Sequence, residues 1–330
     1  MTVLVTGGAG YIGSHMVLEL VDAGEDVVVL DNLTTGFDWA VAKPAELVVG
    51  DIGDTELVGR LLKERGVEAI IHFAGSIVVP ESVSNPLMYY ENNTVKSRGL
   101  IAAAVAGGVK SFIFSSTAAV YGNPAENPVS ETATLAPMSP YGWSKLMTEI
   151  MLRDAAAPHD FRYVALRYFN VAGADPAGRS GQSTPKATHL IKVACETALG
   201  KRSHMEVFGT DYPTRDGTCI RDFIHVKDLA RAHVAALSHL RAGGKADVFN
   251  CGYSKGYSVL EVIDAVKRAS GKSMDVRLSP RRPGDPAAIV AASGKIREQL
   301  GWVPHHDDLD RIVAQALAWE SELARRTNVR

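Results

Sequence analysis

The first segment of the chain constrains its fold more than any other. Residues 3–6 form the apolar run VLVT, which suits a strand buried on both faces of a parallel sheet. The stretch GGAGYIG follows over residues 7–13, and apolar residues then recur at helical spacing until Gly24. A strand, a glycine-rich turn and a helix in this order bring backbone N–H groups and a helix N-terminus together, which is how proteins bind the pyrophosphate of a dinucleotide.

Three glycines of this turn have the spacing GxxGxxG, and each meets a steric demand: a tight turn, a close approach to phosphate, and packing of the helix on the strand. They are Gly7, Gly10 and Gly13. About twenty residues later a second apolar run ends in Asp31, whose carboxylate suits a ribose 2′-hydroxyl and repels a 2′-phosphate. The pattern therefore predicts NAD rather than NADP. The alternatives are a glycine turn without a nucleotide, and Asp31 as a turn residue before Asn32.

Strands and helices alternate through the first half of the chain. Besides residues 3–6, we predict strands at 27–30, 46–49, 69–73, 111–115 and 161–167. We predict helices after the glycine turn, at 54–65, from Pro86 to near Gly107, and around Tyr141. Such alternation implies right-handed crossovers and a parallel sheet. The predicted fold class is therefore α/β: a Rossmann-type doubly wound parallel sheet with a smaller mixed α/β substrate domain.

The sequence changes character after Asn170. Residues 172–185 are rich in Gly, Pro and Ser, and the elements beyond them are shorter and less regular. Helices are predicted there at Lys186–Leu199, Val226–Leu240, Val259–Ser270 and Asp308–Ala324. We therefore predict an NAD-binding domain over residues 1–170 and a substrate domain over residues 171–330, with segments that can interleave.

Composition excludes several classes of partner. The net charge of the 330 residues is −2 and charges of both signs are mixed along the chain, so nucleic acid and anionic membranes are not expected as partners. The longest apolar stretch, residues 69–80, is broken by His72 and Ser76, well short of the ~18 residues that span a membrane. A basic signal-peptide start is absent from the sequence. The three cysteines are widely spaced, which favours buried thiols in a reducing compartment. We expect a cytoplasmic protein with a small-molecule substrate.

Tyr141 and Lys145 form a second motif, YxxxK, which places a phenol and an ammonium on one side of a helix. A nearby positive charge lowers the pKa of a tyrosine, which can then act as general base and acid. Taken alone, the spacing equally describes a solvated helix face. Here it follows a predicted strand that ends in Ser115-Ser116-Thr117. Together with the glycine turn, it indicates a nicotinamide-dependent enzyme.

Motifs along nearly the whole chain make the sequence similar to one family. They are VTGGAGYIGSH from Val5, LDN at 30–32, GDI at 50–52, IHFAG at 71–75, YYENN at 89–93, FIFSSTAAVYG at 112–122, SPYGWSKLMTE at 139–149, LRYFNVAGA at 166–174, FGTDYPTRDGTCIRDFIHVKDLA at 208–230 and RRPGD at 281–285. In these motifs the chain resembles the extended short-chain dehydrogenase/reductase family and, through the last two, its UDP-glucose (UDP-galactose) 4-epimerase branch.

The resemblance implies a reaction in which NAD is reduced and reoxidised in place. UDP-glucose and UDP-galactose are interconverted by transient oxidation at sugar C4, rotation of the 4-keto intermediate, and reduction on its other face. Tyr141 would take the proton of the 4-hydroxyl, Lys145 would hold the nicotinamide ribose and keep Tyr141 ionised, and Thr117 would hydrogen-bond the reacting oxygen. The resemblance also implies a homodimer, through the helices after Pro86 and at Tyr141.

The resemblance further implies two sets of contacts. Cofactor contacts would come from Gly7, Gly10, Tyr11, Ile12, Gly13, Asp31, Asn32, Asp51, Ile52, Phe73, Ala74, Asn92, Tyr141, Lys145 and Phe169. UDP-sugar contacts would come from Thr117, Tyr141, Asn170, His189, Leu190, Phe208, Arg221, Arg282, Asp285 and Ile289. Arginines suit the diphosphate. For each residue of the second domain considered singly, the alternative to a substrate contact is a surface ion pair or a packing role.

Four positions depart from the pattern of this family. Ile77 stands where some relatives carry a lysine near the cofactor, Thr117 replaces the more frequent serine, and His189 replaces an asparagine. Ile289 stands where glucose-restricted members carry a tyrosine, so N-acetylhexosamine or pentose derivatives of UDP are alternative substrates.

Three alternative interpretations concern elimination of water, a non-catalytic role and a metal site. Elimination of water would need an acid/base pair straight after Thr117, where the chain has Ala118 and Ala119. A non-catalytic NAD-sensing protein is a further alternative. The sequence at 305–308, HHDD, has metal-binding residue types, but we expect a solvated loop and a helix N-cap there, and no metal.

Overall fold

Alternating strands and helices organise the chain, as the sequence predicts. The structure is a computed structural model that describes residues 1–185, 187–282 and 284–327. The strands in those residues are β1 (Thr2–Thr6), β2 (Asp26–Asp31), β3 (Glu46–Val49), β4 (Val67–His72), β5 (Ser111–Thr117), β6 (Arg162–Tyr168), β7 (Asn170–Ala172), β8 (Met205–Phe208), β9 (Ile220–His225), β10 (Asp247–Cys251), β11 (Gly256–Ser258), β12 (Val276–Ser279) and β13 (Ala288–Ile289).

The helices in the described residues are α1 (Tyr11–Asp22), α2 (Thr55–Glu64), α3 (Val79–Ser84), α4 (Pro86–Tyr89), α5 (Lys96–Ala106), α6 (Pro140–Ala156), α7 (Leu190–Ala198), α8 (Val226–Arg241), α9 (Val259–Ser270), α10 (Gly294–Leu300) and α11 (Leu309–Thr327). A π-helix, Tyr90–Val95, joins α4 to α5, so the long helix predicted after Pro86 changes its winding where it carries Asn92. Short 3₁₀ turns cover Asp38–Ala40 and Ala118–Tyr121.

The main sheet has seven parallel strands in the order β10-β6-β5-β4-β1-β2-β3. Every residue of β1 is buried, which explains its unbroken apolar sequence. The order of the strands reverses at β1, since β2 and β3 continue to one side and β4 and β5 to the other. Ligands of such sheets bind at the carboxyl ends of the strands beside this reversal. The glycine-rich turn follows β1 at that place.

Helices cover both faces of this sheet. Val3 and Val5 of β1 pack in one apolar cluster with residues of α1 and α8, whereas Leu4 packs in a second cluster with residues of α2, α5 and α6. Neighbouring side chains of a strand point to opposite faces, so one strand serves both clusters. The predicted doubly wound α/β fold is confirmed.

The remaining strands form smaller sheets near the carboxyl edge of the main one. β9 pairs with β11, β13 and β7, and β8 pairs with β12. Helices α8, α9 and α11 match the predicted ones closely, whereas α7 begins at Leu190. The predicted start of α7 at Lys186 lies outside the described residues. Helix α10 was not predicted.

One strand of the main sheet comes from late in the chain. β10 pairs in parallel with β6, and α8, which precedes it, packs on β5 and β6. The sequence analysis missed this strand. The division of the chain at residue 170 stays a prediction, while residues 226–251 lie with the main sheet.

All three cysteines have free thiols and are buried, as expected. Among the described residues, the structure contains no helix that is long and apolar enough to cross a membrane.

Candidate active site

The glycine turn packs so closely that side chains do not fit at two of its positions. Gly7 has φ +70°, and a Cβ atom there would lie 2.6 Å from the backbone N of Ala74. A Cβ atom on Gly13 would lie 2.1 Å from the carbonyl O of Gly7. Gly10 precedes α1 and donates its N–H to that same oxygen, at 3.2 Å. The turn therefore offers bare backbone at the start of α1, with Tyr11 and Ile12 as the first helical residues.

Asp31 lies beside this turn at the end of β2. Its buried carboxylate accepts the N–H of Ala9 at 2.9 Å and the N–H of Leu33 at 2.8 Å. The bond to Leu33 is the turn interaction that the alternative interpretation expected, and the bond to Ala9 joins the carboxylate to the glycine turn. Asn32 is exposed and donates its amide to Asp51 at 3.1 Å.

Asp51 follows β3 at the same edge of the sheet. Burial would raise the pKa of its carboxyl, but donors from Lys96, Gly53 and Asn32 outweigh burial and lower the pKa. The Lys96 ammonium lies 2.8 Å from the carboxylate. The side chain of Ile52 next to it is buried. This part of the predicted cofactor site therefore carries an ionised carboxylate that is held in an ion pair with Lys96.

Two predicted cofactor residues follow β4, and a third reaches the same segment from the π-helix. The ring centres of Phe73 and His233 lie 4.8 Å apart, with the ring planes tilted by 42°, and Ala74 packs against the glycine turn. Asn92 donates its amide to the hydroxyl of Ser76 at 2.9 Å. Ile77, in the same loop, is exposed. The structure thus brings residues after β1, β2, β3 and β4 to one edge.

Tyr141 and Lys145 reach this edge from α6. Ser139 caps the helix by accepting the N–H of Gly142 at 3.2 Å, and Pro140 occupies its first turn. Both side chains are almost fully buried, with 8% of Tyr141 and 4% of Lys145 exposed. The Lys145 ammonium donates to the carbonyl O of Ser115 at 3.1 Å and lies 5.0 Å from the ring centre of Phe114. Burial lowers the pKa of Lys145 to about 8.

The predicted lowering of the tyrosine pKa is wrong for the protein by itself. Burial raises the pKa of the Tyr141 phenol, and its hydrogen bond with the Thr117 hydroxyl lowers the pKa by less. The ammonium of Lys145 is turned to the backbone of Ser115 instead. Thr117 also accepts the N–H of Ala119 at 3.1 Å. The phenol is therefore protonated, and the Thr117 hydroxyl lies beside it.

Four predicted nucleotide-sugar residues lie together around β9, next to Ile289, and form the second side of the candidate site. Arg282 donates to Asp285 at 2.9 Å, and its guanidinium lies 4.7 Å from the ring centre of Phe208. Arg221 on β9 lies 3.7 Å from Asp285 and donates to the carbonyl O of Pro286 at 2.9 Å. Pro283, between the two ends of the RRPGD motif, lies outside the described residues. This group offers two guanidiniums and an aromatic face.

The predicted sugar-pocket residues are split between two places. Ile289 on β13 packs in a buried cluster with Phe169 and Ala118, next to Thr117. Asn170 opens β7 and pairs with Phe223 of β9. His189 lies farther along the chain, directly before Leu190 at the start of α7, where its Nδ1 accepts the amide of Gln182 at 2.9 Å.

The HHDD segment differs from its prediction at one residue, His306. Asp308 accepts the N–H of Arg311 at 2.7 Å, which is the expected helix-capping bond. His306, however, is buried and stacks on the ring of His225 with centroids 4.5 Å apart. The backbone N–H groups of His305 and His306 donate to the buried carboxylate of Asp228. His305, Asp307 and Asp308 are exposed, as a solvated loop predicts, and only His306 is packed against the rest of the protein.

The sequence analysis also missed buried polar residues behind Tyr141 and Lys145. Glu149 of α6 and Arg167 of β6 form a buried ion pair, with N–O distance 2.6 Å, and Ser116 donates to the same carboxylate. The sequence contained a signal for this ion pair. Arg167 is the lone charge in the apolar strand sequence YVALRY, and a buried strand tolerates a charge only when that charge is paired.

Comparisons with known proteins agree with this geometry. The chain matches the model of the NAD dependent epimerase/dehydratase family over residues 3–252. It is 58% identical to the UDP-glucose 4-epimerase of Azospirillum brasilense over 321 residues, which are 97% of this chain and 92% of that protein.

Two solved structures resemble the whole chain. The UDP-glucose 4-epimerase of Bifidobacterium longum in complex with NAD⁺ and UDP is 39% identical, with a TM-score of 0.92 and 98% of each chain covered. The UDP-Glc/GlcNAc 4-epimerase of Campylobacter jejuni is 49% identical, with a TM-score of 0.85, and the match covers 97% of this chain and 99% of that one. By its family match, and by these relatives along nearly its whole length, the chain belongs to the NAD dependent epimerase/dehydratase family.

Proposed function

We propose that this chain interconverts UDP-glucose and UDP-galactose, with NAD as a bound cofactor. The sugar is oxidised at C4, turns over while its UDP stays bound, and is reduced on the opposite face. One observation carries the proposal: Tyr141, Lys145 and Thr117 are buried together at the end of β5 and the start of α6, at the edge of the sheet where the glycine turn lies.

The residues present fit a dinucleotide. The glycine turn is a cradle that a Cβ atom at position 7 or 13 would fill, and Asp31 lies fixed beside it. Backbone at the start of α1 would hold the pyrophosphate, and the Asp31 carboxylate would accept a ribose hydroxyl. Bound there, NAD would supply a hydride acceptor and donor. The other predicted cofactor residues at this edge, from Asp51 to Phe169, would line the site.

The chain's own residues would manage the proton. The Tyr141 phenol would exchange a proton with the sugar 4-hydroxyl, while Thr117 holds the same oxygen. The Lys145 ammonium is buried within the same cluster, where its charge acts in a low dielectric and would stabilise the ionised phenol. Because Ala118 and Ala119 offer no acid or base, nothing at those positions would assist elimination of water.

The second side of the cleft would hold UDP. Arg221 and Arg282 suit the diphosphate, and Phe208 offers an apolar face beside Arg282. Asp285 holds both guanidiniums in place. Contacts limited to UDP would leave the sugar free to turn over.

The assay is incubation of the purified protein with UDP-galactose, with UDP-glucose formation and the NAD released on denaturation as readouts. We expect both, and we expect Tyr141→Phe to slow the reaction by roughly 10²–10⁴ while NAD stays bound. Tyr163→Phe, which loses the same hydroxyl from β6 in a different cluster, is the matched control and should be active. A wild-type protein with neither activity nor NAD would contradict the proposal and favour a non-catalytic protein without the cofactor.

A second candidate function is supported by Ile289. This residue packs against Phe169 and Ala118, so its size sets the space beside Thr117. The related Campylobacter jejuni enzyme is named for both UDP-Glc and UDP-GlcNAc. We infer that N-acetylated substrates, and UDP-pentoses, are also accepted. Turnover of UDP-N-acetylglucosamine that Ile289→Tyr abolishes, with UDP-galactose turnover kept, would support this; no turnover by the wild type would contradict it.

We also propose a homodimer. Trp143, Met147 and Ile150 recur at helical spacing on α6 and are exposed. Val83 of α3 and Leu87 of α4, on helices that contact α6, are exposed as well. A second copy would bury these apolar faces. Light scattering should give twice the chain mass, and Met147→Glu with Ile150→Glu should halve it, whereas the exposed Leu278→Glu on β12 should not.

The cytoplasm is the compartment we propose. Buried, unpaired thiols suit a reducing environment. Cell fractionation with detection of the native chain tests the assignment.

A further inference from the structure

A buried ion pair lies directly behind the proposed catalytic residues. On α6, Glu149 is one helical turn after Lys145 and two turns after Tyr141. Arg167 on β6 donates two hydrogen bonds to the Glu149 carboxylate, from Nε to Oε1 at 3.0 Å and from Nη2 to Oε2 at 2.6 Å. Only 5% of Glu149 and 4% of Arg167 are exposed. A two-pronged contact of this kind fixes orientation as well as distance.

The same carboxylate also holds the strand that carries Thr117. The hydroxyl of Ser116 donates to Oε1 of Glu149 at 2.5 Å. Its two neighbours in β5 contact α6 as well, since the Ser115 carbonyl accepts from Lys145 and the Thr117 hydroxyl lies close enough to Tyr141 to lower its pKa. Three consecutive residues of β5 therefore each face a different turn of α6.

The pair continues toward the sugar side of the cleft. Nη1 of Arg167 donates to the Tyr121 hydroxyl at 3.0 Å, and that hydroxyl donates to Asn250 at 2.7 Å. The Asn250 amide donates to the carbonyl O of Val129 at 2.9 Å. The N–H of Val129 donates to the carbonyl O of Val290, at 2.8 Å. A connected chain of hydrogen bonds thus runs from α6 to the residue after Ile289.

Stability alone does not explain such a pair. Charges that are removed from water lose hydration, and a well-packed apolar pair of similar volume is often as stable or more so. What the ion pair provides is a fixed placement of α6 relative to β5 and β6. The contacts it fixes are those of Tyr141 and Lys145 with the end of β5.

We propose that Glu149 and Arg167 are positioning residues that hold Tyr141 and Lys145 against the end of β5, at Ser115 and Thr117, for the reaction. This inference rests on the proposed function and adds to it a requirement outside the residues that touch substrate or cofactor. A misplacement of about 1 Å far from the reacting atoms can slow an enzyme by about 10².

The first test is Glu149→Gln, which keeps the shape and removes the charge. We expect kcat for UDP-galactose to fall roughly 10- to 100-fold, with KM and bound NAD nearly unchanged. Asp154→Asn is the matched control, since Asp154 lies on the same helix and pairs with Arg153 at the surface. It should leave kcat unchanged. A Glu149→Gln protein with normal kcat would overturn the proposal.

A second variant separates positioning from folding. Glu149→Leu with Arg167→Met removes both charges together and is expected to recover most of the stability that either single change loses. If the pair positions α6, kcat stays low although the melting temperature recovers. If kcat recovers together with the melting temperature, the pair has only a structural role and the proposal is wrong. Loss of the proposed function itself would appear differently, as an inactive wild-type protein.

Discussion

The two sides of the candidate active site are built in different ways. On the side of the main sheet, backbone packs on backbone at the glycine turn, and Tyr141, Lys145 and Thr117 are buried. On the other side, Arg282 is 49% exposed and is held by Asp285 and the face of Phe208. The first side has no room to adjust, whereas on the second the Arg282 side chain is half exposed and those of Arg221 and Asp285 are only partly buried.

This difference suits the two tasks that we propose. Hydride and proton transfer need reacting atoms at fixed distances, which a rigid edge of a sheet provides. A sugar that must turn over between its two faces needs a grip on its nucleotide that leaves the hexose loose. Changes on the rigid side should therefore abolish binding or catalysis, and changes on the exposed side should weaken substrate affinity.

The largest effect is expected from Gly13→Ala. Its new Cβ atom would lie 2.1 Å from the carbonyl O of Gly7, so the turn has to open, at a cost of about 3 kcal/mol. We expect loss of bound NAD, measured by release on denaturation, and a lower melting temperature. Gly59→Ala on α2 is the control, because nothing lies within 4 Å of its Cβ position, and it should stabilise the helix slightly. Normal NAD content in Gly13→Ala would contradict the rigid description.

Asp31→Asn should have the next largest effect. The Asp31 carboxylate accepts two backbone N–H groups, from Ala9 and from Leu33. In the asparagine variant the amide NH₂ group faces one of these two donors, so one hydrogen bond is lost. We therefore expect a loss of about 1–3 kcal/mol of cofactor affinity. The measurement is NAD retention during dialysis. Asp26→Asn, at the exposed start of the same strand, should retain NAD as the wild type does. Equal retention by both variants would show that Asp31 is only a turn residue.

Arg282→Met should change KM and spare kcat. Losing one charge-assisted contact to a phosphate should raise KM for UDP-galactose roughly 10-fold, or about 1–2 kcal/mol. Arg277→Met on β12 is the control, because that arginine is also exposed and paired, to Asp275. If kcat falls and KM does not, the exposed side is as tightly coupled to the chemistry as the buried side, and the contrast between them is lost.

The smallest effect is expected from a change at Arg179. This arginine binds Asp22 of α1 at 2.9 Å and Asp175 at 2.9 Å, and so links residues of the two predicted domains. Burial would raise the pKa of Asp175, but hydrogen bonds from Arg179 outweigh it and lower the pKa. A lowered carboxyl pKa stabilises the fold above the unfolded pKa and stops doing so as the pH falls through the folded one. Arg179→Met should therefore cost about 1 kcal/mol at pH 7, and little only at a pH well below about 4, where the Asp175 carboxyl is protonated in the folded state as well. Thermal melts at both pH values test this.

Local sequence was sufficient wherever one segment determines its own structure. The run VLVT, the glycine turn and the helix after it were predictable because each follows from periodicity and sterics within a few residues. Helix α9 was predicted to its bounds, and its capping box of Ser258 and Glu261 explains why its start is so clear.

The long-range arrangement of the elements was harder to predict from the sequence. Strand β10 has the short mixed sequence DVFNC, which carries no clear strand pattern, and only its pairing with β6 makes it part of the main sheet. The pKa of Tyr141 depends on burial by several elements, which outweighs the helical spacing to Lys145. The partners of Arg167 lie on α6 and in a 3₁₀ turn, so the sequence could signal that a partner exists without naming it.

Strand β10 lies late in the sequence, and this position affects how the chain folds during its synthesis. Until residue 251 leaves the ribosome, β6 is an unprotected edge strand whose unpaired backbone can join other chains. A fragment of residues 1–170 would keep that edge permanently, although it contains the glycine turn, Tyr141 and Lys145. The two halves of the cleft are therefore not separable modules: the cofactor side completes its sheet only after much of the substrate side has been synthesised.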